Sequence, residues 1–95
     1  MQNTAPTYSP ADAYRMDDVT HIIRAYRRGY AIRRGGDMVG GDRWLAEVDA
    51  HVDLYTARTI EHEVTYLRRY QNTRTRHDAQ IIRRVRRIAE DHLAG

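Results

Sequence analysis

The sequence contains no cysteine, no phenylalanine and no lysine, and it has only two prolines among its 95 residues. The absence of cysteine excludes disulfide bridges, thiolate zinc sites and cysteine nucleophiles. No apolar run approaches the roughly 18 residues that a membrane span needs. Residues 1–7 lack the positive and apolar regions of a signal peptide. We therefore expect a cytoplasmic protein.

Because lysine is absent, all 16 basic residues are arginine, set against 13 acidic residues, for a formal net charge of +3. Arginine in place of lysine is typical of GC-rich genomes, and the small size suits a phage or mobile element of a high-GC bacterium. Guanidinium groups bind phosphates and carboxylates well. However, the carboxylates are interleaved with the arginines along the chain, so the composition favours an anionic partner only weakly.

Apolar residues recur at spacings of three and four, which is typical of amphipathic helices and predicts an all-α fold. Residues 1–8 are polar and are predicted to be a flexible tail before one helical domain over 9–95. Ser9, Pro10 and Asp12 supply a capping hydroxyl, a proline at the first helical position and an acidic first turn. The first helix is predicted over about 10–34.

The segment 35–41 contains four glycines, which predicts a flexible connector. Asp42 is the predicted cap of a second helix over about 42–71, and a third is predicted over about 76–93. The expected architecture is a three-helix bundle or a long helical hairpin that dimerises. Because the break near Asn72 contains neither glycine nor proline, a continuous rod formed by the second and third helices stays an alternative.

The third helix has two chemically different faces. At about 100° per residue, one arc gathers Ile81, Ile82, Val85, Ile88, Ala89, His92 and Leu93. The opposite side carries Arg76, Arg83, Arg84, Arg86 and Arg87. These arginines predict either a phosphate-binding surface for nucleic acid or a solvated face that Glu90 and Asp91 partly neutralise.

The second helix supplies the favoured site. Aromatic, imidazole and guanidinium side chains lie near one edge of its apolar band, namely Trp44, His51, Tyr55, Arg58, His62 and Arg69. Such side chains concentrate binding energy at protein interfaces. The leading hypothesis is therefore a small regulatory protein that binds a protein partner, with a nucleic-acid-binding accessory protein as the alternative.

No pattern of catalytic or metal-binding residues stands out. On a helix, Asp49 and Asp53 share a face that His51 does not, and Tyr66 stands where a zinc-protease motif beginning at His62 needs its second histidine. The glycines of 35–41 are not followed by the Lys-Ser/Thr pair of a phosphate-binding loop. We expect no enzyme activity, no cofactor and no metal.

Overall fold

A computed structural model describes residues 9–16, 18–67 and 76–95. Over these residues the chain is helical and contains no strand, which confirms the all-α prediction. The helices, in chain order, are α1 (Pro10–Ala13), α2 (Val19–Arg34), α3 (Met38–Asp49), α4 (Leu54–His62), which continues as a π-helical turn over Glu63–Leu67, and α5 (Asp78–Ala94). The predicted tail 1–8 lies outside the described residues.

The predicted first helix begins where expected but is divided in two. The Ser9 side chain and Asp12 form the reciprocal hydrogen bonds of a capping box. Tyr14 then takes an extended backbone that ends α1. Asp18 starts α2 by accepting a hydrogen bond from the Thr20 amide at 2.8 Å. Side-chain capping of this kind competes with a continuous helix, and the prediction of one helix over 10–34 is corrected accordingly.

The glycine-rich segment is shorter as a connector than predicted. The Asp37 carboxylate accepts a hydrogen bond from the Gly40 amide at 2.8 Å, so α3 begins at Met38. Asp42, the predicted cap, lies inside α3. A short polar side chain at the position before a helix accepts hydrogen bonds from amides that otherwise lack partners. Asp37 precedes Asp42 in the chain and already fills this role, so the helix begins before the predicted cap.

Two glycines serve close packing between α2 and α3. A methyl group added at Gly41 would lie 2.9 Å from the Gly29 carbonyl oxygen. One added at Gly29 would lie 2.7 Å from Cγ of Leu45. Neither contact leaves room for a side chain, so these glycines bring the two helices together.

The predicted second helix is also divided. The Asp53 carboxylate accepts from the Thr56 amide at 2.8 Å and caps a new helix. α4 then packs against α5. Glu61 Oε2 lies 2.7 Å from Nε of Arg86. In one continuous rod these residues would be about 37 Å apart, so α4 and α5 are separate helices that lie side by side.

The core is one cluster to which α2, α3, α4 and α5 all contribute. Its largest fully buried side chains include Tyr26, Ile23, Leu45, Ile60 and Ile81. Burial of such side chains is the main force that holds small helical proteins together. None of the helices in the described part of the chain has both the length and the apolar character to cross a membrane.

Candidate functional site

The arginines of α5 divide into those used inside the fold and those that face outward. Arg84 is on the inner side. Its guanidinium makes three hydrogen bonds to the Asp49 carboxylate at the end of α3, at 2.8 to 3.1 Å. Tyr26 of α2 donates its hydroxyl to the same carboxylate at 2.8 Å. The contacts tie three helices together at one carboxylate.

The surroundings shift two pKa values in this network. Hydrogen bonding to Asp49 raises the pKa of Arg84 above its ordinary value. Burial, with the neighbouring Asp49 charge, raises the pKa of Tyr26 above the usual value for a tyrosine. The guanidinium is therefore firmly cationic and the phenol stays protonated, so the pair of donors to Asp49 is stable across the ordinary pH range.

A second ion pair holds the beginning of α5. The Asp78 side chain is only 1% exposed, and it accepts hydrogen bonds from Nε and Nη2 of Arg27 at 3.3 and 3.0 Å. Because Arg27 lies on α2, this contact fixes the first turn of α5 beside that helix. Together with the Arg84 network, it sets the spacing of α2 and α5.

An open groove runs between the end of α2 and the first half of α5, and we call it the arginine groove. Its floor contains Tyr30, whose ring stacks on His77 with centroids 5.8 Å apart. Arg84 and Gln80 also line it. The remaining basic residues that line it are Arg33, Arg34, Arg76, His77, Arg83 and Arg87.

No carboxylate is among the described residues that line the arginine groove. Asp49 and Asp78 are turned toward the interior by Arg84 and Arg27. Asp42, beside the groove, pairs with Arg33 at 3.1 Å. Glu90 and Asp91 line an adjoining depression on α5 together with Arg83, Arg86 and Arg87. Carboxylates therefore border the groove at Arg33 and at its Arg87 end, and the described lining between them is basic.

The five arginines predicted for nucleic acid have different positions. Arg76, Arg83 and Arg87 line the arginine groove. Arg84 lines it too, but its guanidinium is held by Asp49. Arg86 lies toward α4 and pairs with Glu61.

Sequence reasoning missed Arg33, Arg34 and His77, which the fold adds to the groove. The only sequence signal for the first two is their place at the end of an amphipathic helix. That signal does not reveal which helix lies beside them.

A second surface lies on the outer side of α4, and we call it the α4 aromatic face. Tyr55 is 78% exposed and Tyr66 is 56% exposed. The His62 ring packs on Tyr66 with centroids 5.1 Å apart, and Arg58 is exposed beside them. Sequence analysis placed Tyr55 near one edge of the apolar band, and the structure turns the rings of both tyrosines to solvent.

The other residues of the predicted protein interface do not join this face. Trp44 is half-buried on α3, donates Nε1–H to the Ala25 carbonyl at 2.8 Å, and meets the edge of Tyr14. His51 is exposed in the turn between α3 and α4. Arg69 lies outside the described residues. The structure therefore groups Tyr55, Arg58 and His62, and it uses Trp44 to pack α3 on α2.

Among residues 9–16, 18–67 and 76–95, no three histidine, aspartate or glutamate side chains are grouped so that they could hold a metal ion. Two exposed surfaces of the described chain differ in chemistry. One is cationic and concave, and the other is aromatic and convex. No protein-family profile, curated protein or solved structure matches this chain.

Proposed function

We propose that the chain is a non-enzymatic nucleic-acid-binding protein that holds a sugar-phosphate backbone in the arginine groove. The observation that carries this proposal is the groove lining, which combines arginines from α2 and α5 without a carboxylate. Nucleic acids are polyanions of the corresponding charge. The interleaved charge of the sequence argued against such a partner. In the fold, Asp49 and Asp78 are paired with Arg84 and Arg27 and do not offset the other arginines of the groove.

Phosphate binding follows from the chemistry of the side chains. Arginine presents a planar array of donors that matches phosphate oxygens. Each phosphate neutralised also releases condensed counterions, so binding weakens as salt rises. Along α5, Arg83 and Arg87 are about 6 Å apart, and Arg34 and Arg76 also line the groove. This lining contacts phosphates rather than base edges, so little sequence preference is expected.

Fluorescence anisotropy with random duplex DNA and single-stranded RNA tests the proposal. We expect binding at about 50 mM salt that falls by orders of magnitude at about 200 mM. The variant Arg83→Gln/Arg87→Gln should weaken binding roughly tenfold or more and should reduce the salt slope by about two.

The matched control is Arg24→Gln/Arg28→Gln. It removes the same charge at the same spacing, from exposed positions of α2 that do not line the groove. We expect little change in its affinity. Equal losses in the two double variants, or no binding at the lower salt, would reject the groove as the binding site.

The α4 aromatic face supports a second candidate function, a protein interface. The outward side of a surface helix is ordinarily polar, whereas here it carries two exposed tyrosines and a histidine ring. Tyrosine and arginine are enriched where proteins bind each other. A regulatory protein could therefore hold nucleic acid on one surface and a protein on the other.

A further inference from the structure

We infer that the α4 aromatic face binds the same face of a second copy of this chain, with the two α4 helices antiparallel about a twofold axis near Thr59. This inference deepens the second candidate function and is independent of the arginine groove. It assigns the protein partner as the chain itself.

The first support is the exposure of the aromatic rings. Tyr55 and His62 are about two turns apart on α4, so they lie on the same side of that helix, and the ring contact between His62 and Tyr66 places Tyr66 beside them. The core side of the helix is occupied by Ala57, Ile60 and Val64. The aromatic rings therefore form a ridge that the rest of the described chain does not cover.

The second support is the charge pattern along one flank of this ridge. Arg58 and Glu61 are nearly one turn apart and lie on the flank that faces α5, as the contact of Glu61 with Arg86 establishes. Glu61 uses Oε2 for Arg86, and its second oxygen can accept a further donor. The flank thus carries both a cation and an anion.

An antiparallel pair with twofold symmetry brings each flank against the same flank of the other copy. Arg58 of one copy then meets Glu61 of the second copy, and the reverse contact forms as well. A uniformly acidic partner would place a like charge opposite Glu61, and a uniformly basic partner would place one opposite Arg58. The pattern is therefore complementary to itself, which favours a second copy as the occupant.

The axial positions are consistent with this pairing. With a rise of about 1.5 Å per residue and an axis near Thr59, Tyr55 of one copy falls between His62 and Tyr66 of the other. Thr59 is smaller than the aromatic residues around it, so the helices can approach at the axis. The aromatic rings then fill spaces between side chains of the facing helix, as in other packed helix pairs.

Sedimentation equilibrium on the full chain, over about 5 to 500 μM, provides the first test, since a small interface of this kind is expected to have a micromolar Kd. We expect a monomer–dimer equilibrium. Arg58→Glu should weaken it at least tenfold, because two carboxylates would face each other at both contacts. Arg43→Glu, at an exposed position of α3, makes the same charge change and should leave Kd unaltered.

Mixing two reversed variants tests the pairing itself. Arg58→Glu and Glu61→Arg each place like charges opposite one another in their own dimers, but a mixed dimer restores opposite charges at both contacts. Native mass spectrometry should therefore detect the mixed dimer in preference to either homodimer. Arg86→Gln controls for loss of the Arg86–Glu61 pair and should still dimerise.

Three outcomes would overturn the inference. They are a chain that is monomeric throughout the concentration range, an Arg58→Glu variant with unchanged Kd, and a mixture without the mixed dimer. A monomer that loses capture of a different protein on Tyr55→Ala would keep the second candidate function while rejecting self-association. Binding of nucleic acid by monomeric Arg58→Glu reports on the groove separately.

Discussion

Arg83 and Arg84 are neighbours in the chain, yet they belong to two different regions of the molecule. Arg84 points inward to Asp49, where its guanidinium makes three hydrogen bonds. Arg83 is exposed on the wall of the arginine groove. In the described part of the chain, no carboxylate lies within ion-pair distance of it. A rotation of about 100° around α5 separates the two positions.

This difference shows that the direction of an arginine side chain indicates its role better than the number of arginines in the sequence does. An arginine held by a buried or half-buried carboxylate positions helices, and its charge is already balanced locally. An arginine on a wall without carboxylates contributes its charge to the surroundings and remains available to an anion. The first kind should affect stability when it is changed, and the second kind should affect binding.

The largest stability effect is expected at Asp78. Asp78→Ala removes the carboxylate that Arg27 contacts in the interior, and loss of one partner from a buried pair is strongly destabilising. We expect the free energy of unfolding to fall by about 3 kcal/mol, measured by urea denaturation.

Asp42→Ala is the control for Asp78→Ala. It breaks the Arg33 pair, whose carboxylate side chain is 63% exposed, so solvent screens the charges. Its expected effect is below about 0.5 kcal/mol. Similar losses of unfolding free energy in Asp78→Ala and Asp42→Ala would contradict the distinction between inner and outer ion pairs.

A smaller effect sharpens the comparison between neighbours. Arg84→Gln should lower the free energy of unfolding by about 1.5 kcal/mol, a value reduced because the side chain is partly exposed to solvent. Arg83→Gln should change stability by less than about 0.5 kcal/mol. Urea denaturation of both variants gives the answer, and a larger loss in Arg83→Gln would contradict the assignment of the two faces.

Local patterns predicted much of the fold. The spacing of apolar residues indicated an all-α chain, and the Ser9 capping box marked the first helix start correctly. The two faces of α5 were predicted in part. Ile81, Val85 and Ala89 are buried as expected, whereas His92 and Leu93, placed in the apolar arc, are exposed and Arg84, placed on the solvated side, pairs with Asp49. These features depend on residues within one or two turns of each other, which is the range that a sequence pattern reports.

The remaining features depend on competition or on distant contacts. Asp18 and Asp53 start new helices by accepting hydrogen bonds from nearby amides, although the apolar pattern continues across both breaks. In the divided chain, Tyr55 and Tyr66 face solvent. The arginine groove requires the end of α2 to lie beside the start of α5, and no local pattern specifies that contact.

Alkaline pH provides the subtlest test of the inner region. Burial and Asp49 raise the pKa of Tyr26 in the folded chain, whereas an unfolded tyrosine has a pKa of about 10. The resulting stabilisation is complete below pH of about 10 and is lost as the pH rises further, because only the unfolded chain then releases the proton.

Tyr26→Phe should lower stability by about 1 kcal/mol at neutral pH through loss of the hydrogen bond to Asp49. It should also make the decline above pH of about 10 shallower by about 1.4 kcal/mol per pH unit, which is the contribution of one proton. Urea denaturation at a series of alkaline pH values measures this slope, and the other tyrosines cancel when the two chains are subtracted. Arg83→Gln should follow the unmodified chain, since the network joins Tyr26, Asp49 and Arg84 and does not include Arg83. An unchanged slope in Tyr26→Phe would mean that the phenol is not protected from ionisation in the folded chain, so neither burial nor Asp49 would hold it protonated.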